Sequence, residues 1–110
     1  MSLDIETERH GDITVLLLRG DLDVATAPQL RSVLVEAITD GARILVDLEA
    51  VGFLDSVGLG ILVSGLKRAR DGGGELELIC TSRQVLRPFE LTGLDKAFTM
   101  HRGRDAAGLT

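Results

Sequence analysis

A short apolar run, Arg43 to Leu48, leads into a helical stripe through a joint made of an acid and a hydroxyl, Asp55 and Ser56. This strand-to-helix switch constrains the fold more than any other feature, because the helix after it carries Gly58, Gly60 and Gly65. Each interior glycine costs up to about 1 kcal/mol relative to alanine, so a close backbone approach has to offset it. Leu59, Leu62, Val63 and Leu66 recur at spacings of three and four, which predicts a stripe facing a sheet. Val57, Gly60, Ile61 and Ser64 fall on another side, small and apolar where a solvated helix would carry charge. Two explanations stay open: packing against the domain's own sheet or a neighbouring helix, or a flat surface that docks a partner.

The rest of the chain alternates in the same way. Leu3 to Glu8 and Ile13 to Leu18, separated by His10-Gly11-Asp12, predict an opening hairpin. Thr26 with Gln29 reads as a capping box for a helix, with Pro28 tolerated in the first turn. Its stripe is Leu30, Val33, Leu34, Ala37 and Ile38, and Gly41 is expected to close it. The Ser56 helix runs to Asp71-Gly-Gly-Gly74, and Glu75 to Cys80 is the next strand. A third helix starts at Ser82, turns Val85, Leu86 and Phe89 inward, and ends near Thr92-Gly93, with Pro88 awkwardly inside it. A last strand is expected from Asp95 through Phe98. Hairpin followed by alternating helices and strands predicts an α/β fold, a mixed sheet with helices packed against it.

Composition narrows the function. With 110 residues and 45 % hydrophobic content, the chain is expected to be one domain, residues 1–110, around one core. A net charge of −5 argues against a nucleic-acid surface and for protein partners. Cys80, the one cysteine, lies in an apolar strand and reads as a buried thiol in a reducing cytoplasm. No apolar run approaches the roughly 20 residues of a membrane span, and Asp4, Glu6 and Glu8 replace the basic start of a signal peptide, so a soluble, cytoplasmic protein is expected.

At the joint, Asp55 or Ser56 can cap the helix by accepting from an orphan N–H, worth about 1 kcal/mol and requiring no further function. A phosphate on Ser56 would instead place about −1.5 to −2 charges at the edge of the apolar face. The helix dipole favours that anion, so the helix would persist while docking suffers from desolvation and from repulsion by Asp55.

The residues resemble the anti-sigma factor antagonists, single STAS domains of bacterial partner-switching systems. Phe53-Leu-Asp55-Ser56-Val-Gly58-Leu59-Gly60 is similar to the phosphoacceptor motif of that family, an Asp-Ser pair followed one residue later by Gly-Leu-Gly. Gly20-Asp-Leu22-Asp23, Val46-Asp-Leu48, Gly73-Gly74 and Thr92-Gly93-Leu94 extend the match over nearly the whole chain. The resemblance implies that Ser56 is the phosphoacceptor and that Asp23 lies near it and helps bind the kinase. It implies a cycle in which the unphosphorylated protein binds an anti-sigma factor that is also a serine kinase and so releases a sigma factor. Phosphorylation frees the antagonist, and a serine phosphatase resets it. Asp55, Val57, Gly58, Gly60, Ile61 and Ser64 complete the expected partner-binding set. Val57 replaces the family's usual second serine or threonine, and Pro88 and the short tail also depart from its pattern.

Other chemistry fits less well. A hydrolase built on Ser56 needs a base and an orienting acid, but His10 and His101 stand in a turn and in the tail, and the Gly-x-Ser-x-Gly elbow is absent. No Cys or His pair has metal-ligand spacing, and Gly72-Gly-Gly74 precedes a strand where a phosphate cradle would open a helix. No enzyme activity, metal or cofactor is therefore expected. The rival readings are a STAS scaffold or docking module with a non-sigma partner, and a constitutive docking domain in which Ser56 is only a cap.

Overall fold

The computed structural model describes residues 3–109. Its elements are β1 (Asp4–His10), β2 (Ile13–Leu22), α1 (Ala27–Ala37), β3 (Arg43–Leu54), α2 (Ser56–Asp71), β4 (Glu75–Ile79), α3 (Arg83–Thr92), a 3₁₀ turn (Leu94–Lys96) and β5 (Met100–His101). They build the expected mixed sheet, in the order β1-β2-β3-β4-β5, with β1 antiparallel to β2 and every later neighbour parallel.

That order decides where the core lies. Each parallel connection steps to the next strand in the same direction, and crossovers of one hand then put every helix on one side of the sheet. Leu16, Leu18, Ile44, Val46, Leu76 and Leu78 point to that side and meet Leu30 and Leu34 of α1, Leu59, Leu62 and Leu66 of α2, and Val85 and Phe89 of α3. The alternate residues Val15, Leu45 and Ile79 face the rear, where they cluster with Ala107 and Leu109 of the tail and with partly buried Ile13.

Arg104 fastens that tail. Its Nε donates to Asp47 Oδ2 at 3.0 Å, and Nη1 and Nη2 donate to the two Glu8 oxygens at 3.1 and 3.0 Å, so one guanidinium ties the tail to β3 and β1. Beside it, Glu77 accepts from Arg43 Nε and Nη2 at 2.9 and 2.8 Å and lies 2.6 Å from His101 Nε2. The Arg43 bonds, opposed by burial, hold the Glu77 carboxyl below its usual range.

Several local expectations are corrected. The strand expected at Asp95–Phe98 is a 3₁₀ turn, and Phe98 inserts into the core edge-on to Phe89, with centroids 5.6 Å apart, so pairing is delayed to Met100–His101. Thr26 makes no capping box: its hydroxyl turns back to donate to Asp21 O at 2.8 Å, and the Gln29 amide donates to Leu3 O. Helix α1 ends before Gly41, which serves a later turn and bonds Gly72 O at 2.8 Å. Helix α3 continues through Pro88. Cys80 is buried as expected, and desolvation pushes its thiol up to about 11. No helix among the described residues is long and apolar enough to cross a membrane.

Hydrogen bonds from Arg104, then from His10, hold Glu8 down to about 2 from an ordinary 4.5. A depressed carboxylate stabilises the fold above its unfolded value and loses that contribution as pH falls through the folded one. Because Glu8 stays partly in water, its share should be about 1 kcal/mol. Arg104→Ala is expected to destabilise by about 2 kcal/mol near neutral pH, since it also leaves Oδ2 of buried Asp47 without its partner while Oδ1 keeps Glu49 N. Urea unfolding at a series of pH values should show the difference from wild type shrinking between pH 4.5 and about 2.

Candidate functional site

Strands β2 and β3 run on past their neighbours. Pairing of β3 with β4 stops at Asp47 and Ile79, whereas β2 and β3 stay paired to Leu22 and Leu54. Two register shifts, at Leu17/Arg19 and Gly20/Asp21, bend this two-stranded extension. The β2–α1 loop and the start of α2 are thereby carried to the same end of the sheet.

Asp55 joins them. It is the N-cap of α2, with Oδ1 accepting from Gly58 N at 2.9 Å, while Oδ2 accepts from Val24 N in the β2–α1 loop at 3.0 Å. Its own N–H donates to Leu22 O at 3.2 Å. The cap is thus Asp55, and Ser56 is the first helical residue, exposed, with no side-chain hydrogen bond among the described residues. Asp23, half-buried, shapes the loop: Oδ1 accepts from Ala25 N at 3.0 Å and Thr26 N at 3.1 Å, and no bond to Oδ2 occurs among the described residues. The Asp23 carboxylate and the Ser56 hydroxyl therefore belong to segments that Asp55 ties together.

The three helix glycines separate by role. A Cβ on Gly58 would stand 2.6 Å from Leu22 O, so this residue is buried by the helix pressing on β2. A Cβ on Gly65 would come within 3.0 Å of Leu76 and 3.2 Å of Leu34, so it admits the sheet and α1. A Cβ on Gly60 would meet nothing within 4 Å among the described residues outside its own helix backbone. Gly58 accordingly lies off the exposed face, while Val57, Gly60, Ile61 and Ser64 occupy it, Ile61 partly buried.

Sequence reasoning missed two members of this surface. Val24 is 66 % exposed, Phe53 45 % and Val57 43 %, three large apolar side chains flanking Asp55 through the chain or through its bond to Val24. The available signal was Phe53 within the apolar run before Asp55; nothing local marked Val24. Neither histidine joins the site: His10 sits at the hairpin beside Glu8, and His101 packs against Glu77 on the rear of the sheet.

The STAS domain profile matches residues 4–107. This chain belongs to the STAS domain family. The STAS chain is 38 % identical over 106 residues to the anti-sigma-B factor antagonist of Staphylococcus aureus (strain NCTC 8325), covering 96 % of this chain and 98 % of that protein. An anti-sigma factor antagonist from Mycobacterium paratuberculosis superposes with a TM-score of 0.87 at 31 % identity, over 96 % of this chain and 92 % of that one. The Bacillus cell fate determinant SpoIIAA in its phosphorylated form shares the fold at a TM-score of 0.73 and 24 % identity, over 96 % and 97 % of the two chains.

The glycines give a direct test. Gly58→Ala is expected to destabilise the STAS domain by about 2 kcal/mol through overpacking on Leu22. Gly60→Ala should stabilise it by about 0.5–1 kcal/mol. Denaturant midpoints of the two variants against wild type check both signs.

Proposed function

We propose that this STAS domain is an anti-sigma factor antagonist switched at Ser56. The observation that carries the reading is the exposed Ser56 hydroxyl beside an apolar surface, on a helix whose cap is supplied by a different residue. Unphosphorylated, the face formed by Val24, Phe53, Val57, Gly60, Ile61 and Ser64 docks on an anti-sigma factor that is also a serine kinase, and the sigma factor is released.

The kinase transfers the γ-phosphoryl group of ATP to Ser56 Oγ, the bond from the γ-phosphorus to the β,γ-bridging oxygen breaks, ADP leaves, and the serine proton passes to the kinase's base. The phosphoserine brings about −1.5 to −2 charges. Asp55 keeps Gly58 N and Val24 N, so helix and loop stay in place; affinity falls because the new charge is desolvated and repelled by Asp55 and Asp23. Asp23, with Oδ2 outside the loop bonds, meets a cation of the kinase. A serine phosphatase restores the binding form. The domain is a phosphorylation substrate with no catalytic activity of its own and acts in the cytoplasm, as one domain over residues 1–110.

Gly60 supports the same assignment. Among the described residues no contact at the Cβ position offsets its cost of about 1 kcal/mol, which fits a backbone that a partner approaches closely. Gly60→Ala should therefore raise stability and lower partner affinity together, an opposition that intradomain packing does not produce.

The direct test uses wild type, Ser56→Ala and Ser56→Asp as baits in the native host, with mass spectrometry of partners and of Ser56. An anti-sigma factor kinase retained by wild type and alanine and lost by aspartate, with phosphate on wild-type Ser56, is the expected result. Equal recovery by all three baits, with no phosphate after adding the kinase and ATP, would sink the switch.

A further inference from the structure

Helices α1 and α2 leave a groove between them, floored where Gly65 lets Leu34 and Leu76 approach. Val35, Ile38, Ile61 and Ser64 line it, together with Arg31 from α1 and Arg68 from the last turns of α2. Its cavity volume is about 20 Å³, room for about one water molecule, which excludes a small-molecule pocket of roughly 300–1,000 Å³. A furrow this shallow suits a protein segment laid across it, with no ligand enclosed.

The charges select which kind. Arg19, Arg43, Arg70, Arg83 and Arg104 each hold an acid. Arg31 and Arg68 hold none among the described residues, nor do Arg9, Arg87 and Arg102, but Arg31 and Arg68 are exposed and line the same groove, in a chain whose net charge is −5. Lys67 adds to the basic side; Glu36 and Asp71 flank the groove without pairing to either arginine among the described residues. Ile61 and Ser64 belong both to this groove and to the α2 face below Ser56, so the two surfaces are continuous.

We propose that the α1–α2 groove docks an acidic, apolar-faced segment of the same anti-sigma factor that the Ser56 face engages. This rests on the function proposed above and adds a second contact, which the phosphate does not touch. Apolar side chains of the segment lie on Val35, Ile38 and Ile61, and its carboxylates pair with Arg31 and Arg68. The acidic Asp23–Asp55 end and the basic groove then fix the direction in which the partner lies across α2.

The test titrates the full-length anti-sigma factor retained by the Ser56→Ala bait, once purified, against charge variants. Arg31→Glu/Arg68→Glu should bind about tenfold more weakly at low salt, the gap closing as salt is raised. Arg31→Gln/Arg68→Gln, with an unchanged melting temperature, should lose part of the affinity, and Arg87→Glu on α3 should lose none. Wild-type affinity in both arginine pairs while Val57→Asp abolishes binding would overturn the groove and leave the Ser56 reading standing. Wild-type affinity in Val57→Asp as well would overturn both. Inorganic phosphate is titrated in parallel by NMR: saturable, arginine-dependent shifts of the groove amides below about 1 mM, with no effect of the arginine pairs on partner binding, would replace the acidic segment with a small anion.

Discussion

One carboxylate holds the functional end of the molecule together. Asp55 accepts from the first turn of α2 through one oxygen and from the β2–α1 loop through the other, and its N–H closes onto Leu22. Both oxygens bond backbone, so loop and helix are fixed without relying on the neighbouring side chains. Ser56 is released from capping by this arrangement. A hydroxyl that capped the helix would have to give up its bond before it could be modified; here the proposed phosphorylation of Ser56 would be separated from the folded state by one residue.

The large features of this architecture were legible because each had a local signal. Periodicity placed the hairpin, the helices and β4, and the Asp-Ser joint located the start of α2. What escaped depended on partners far away in sequence. Strands β2 and β3 outrun their apolar patterns because Arg19, Gly20, Glu49 and Gly52 interrupt the run, and mutual pairing of the strands overrides that local preference. Val24 gave no sign of its place, since only the Asp55 bond brings it to the site. The last strand moved because Phe98 is claimed by Phe89, a contact no window around residue 98 contains.

The glycines of α2 show how a sequence can be ambiguous while the fold is not. Their spacing left self-packing and partner docking equally open, and the answer divides by position. Gly58 and Gly65 are demanded by β2, β4 and α1, whereas Gly60 answers to nothing inside the domain. One helix therefore serves two surfaces. Its inward side is under the close-packing constraint of a core, and its outward side is free to be shaped by whatever approaches it.

The single-sided placement of the helices has a consequence for how the molecule comes apart. The helix-side core draws on all three helices, but the rear strip of Val15, Leu45 and Ile79 depends on residues 103–109, held by one guanidinium. That segment is the natural unit of local unfolding. Protonating Glu8 weakens two of the three hydrogen bonds that Arg104 makes and leaves the one to Asp47 to hold the tail over the apolar strip. Loss of the fold in acid would then begin at the back of the sheet, at the end of the chain farthest in sequence from the Asp55 cap.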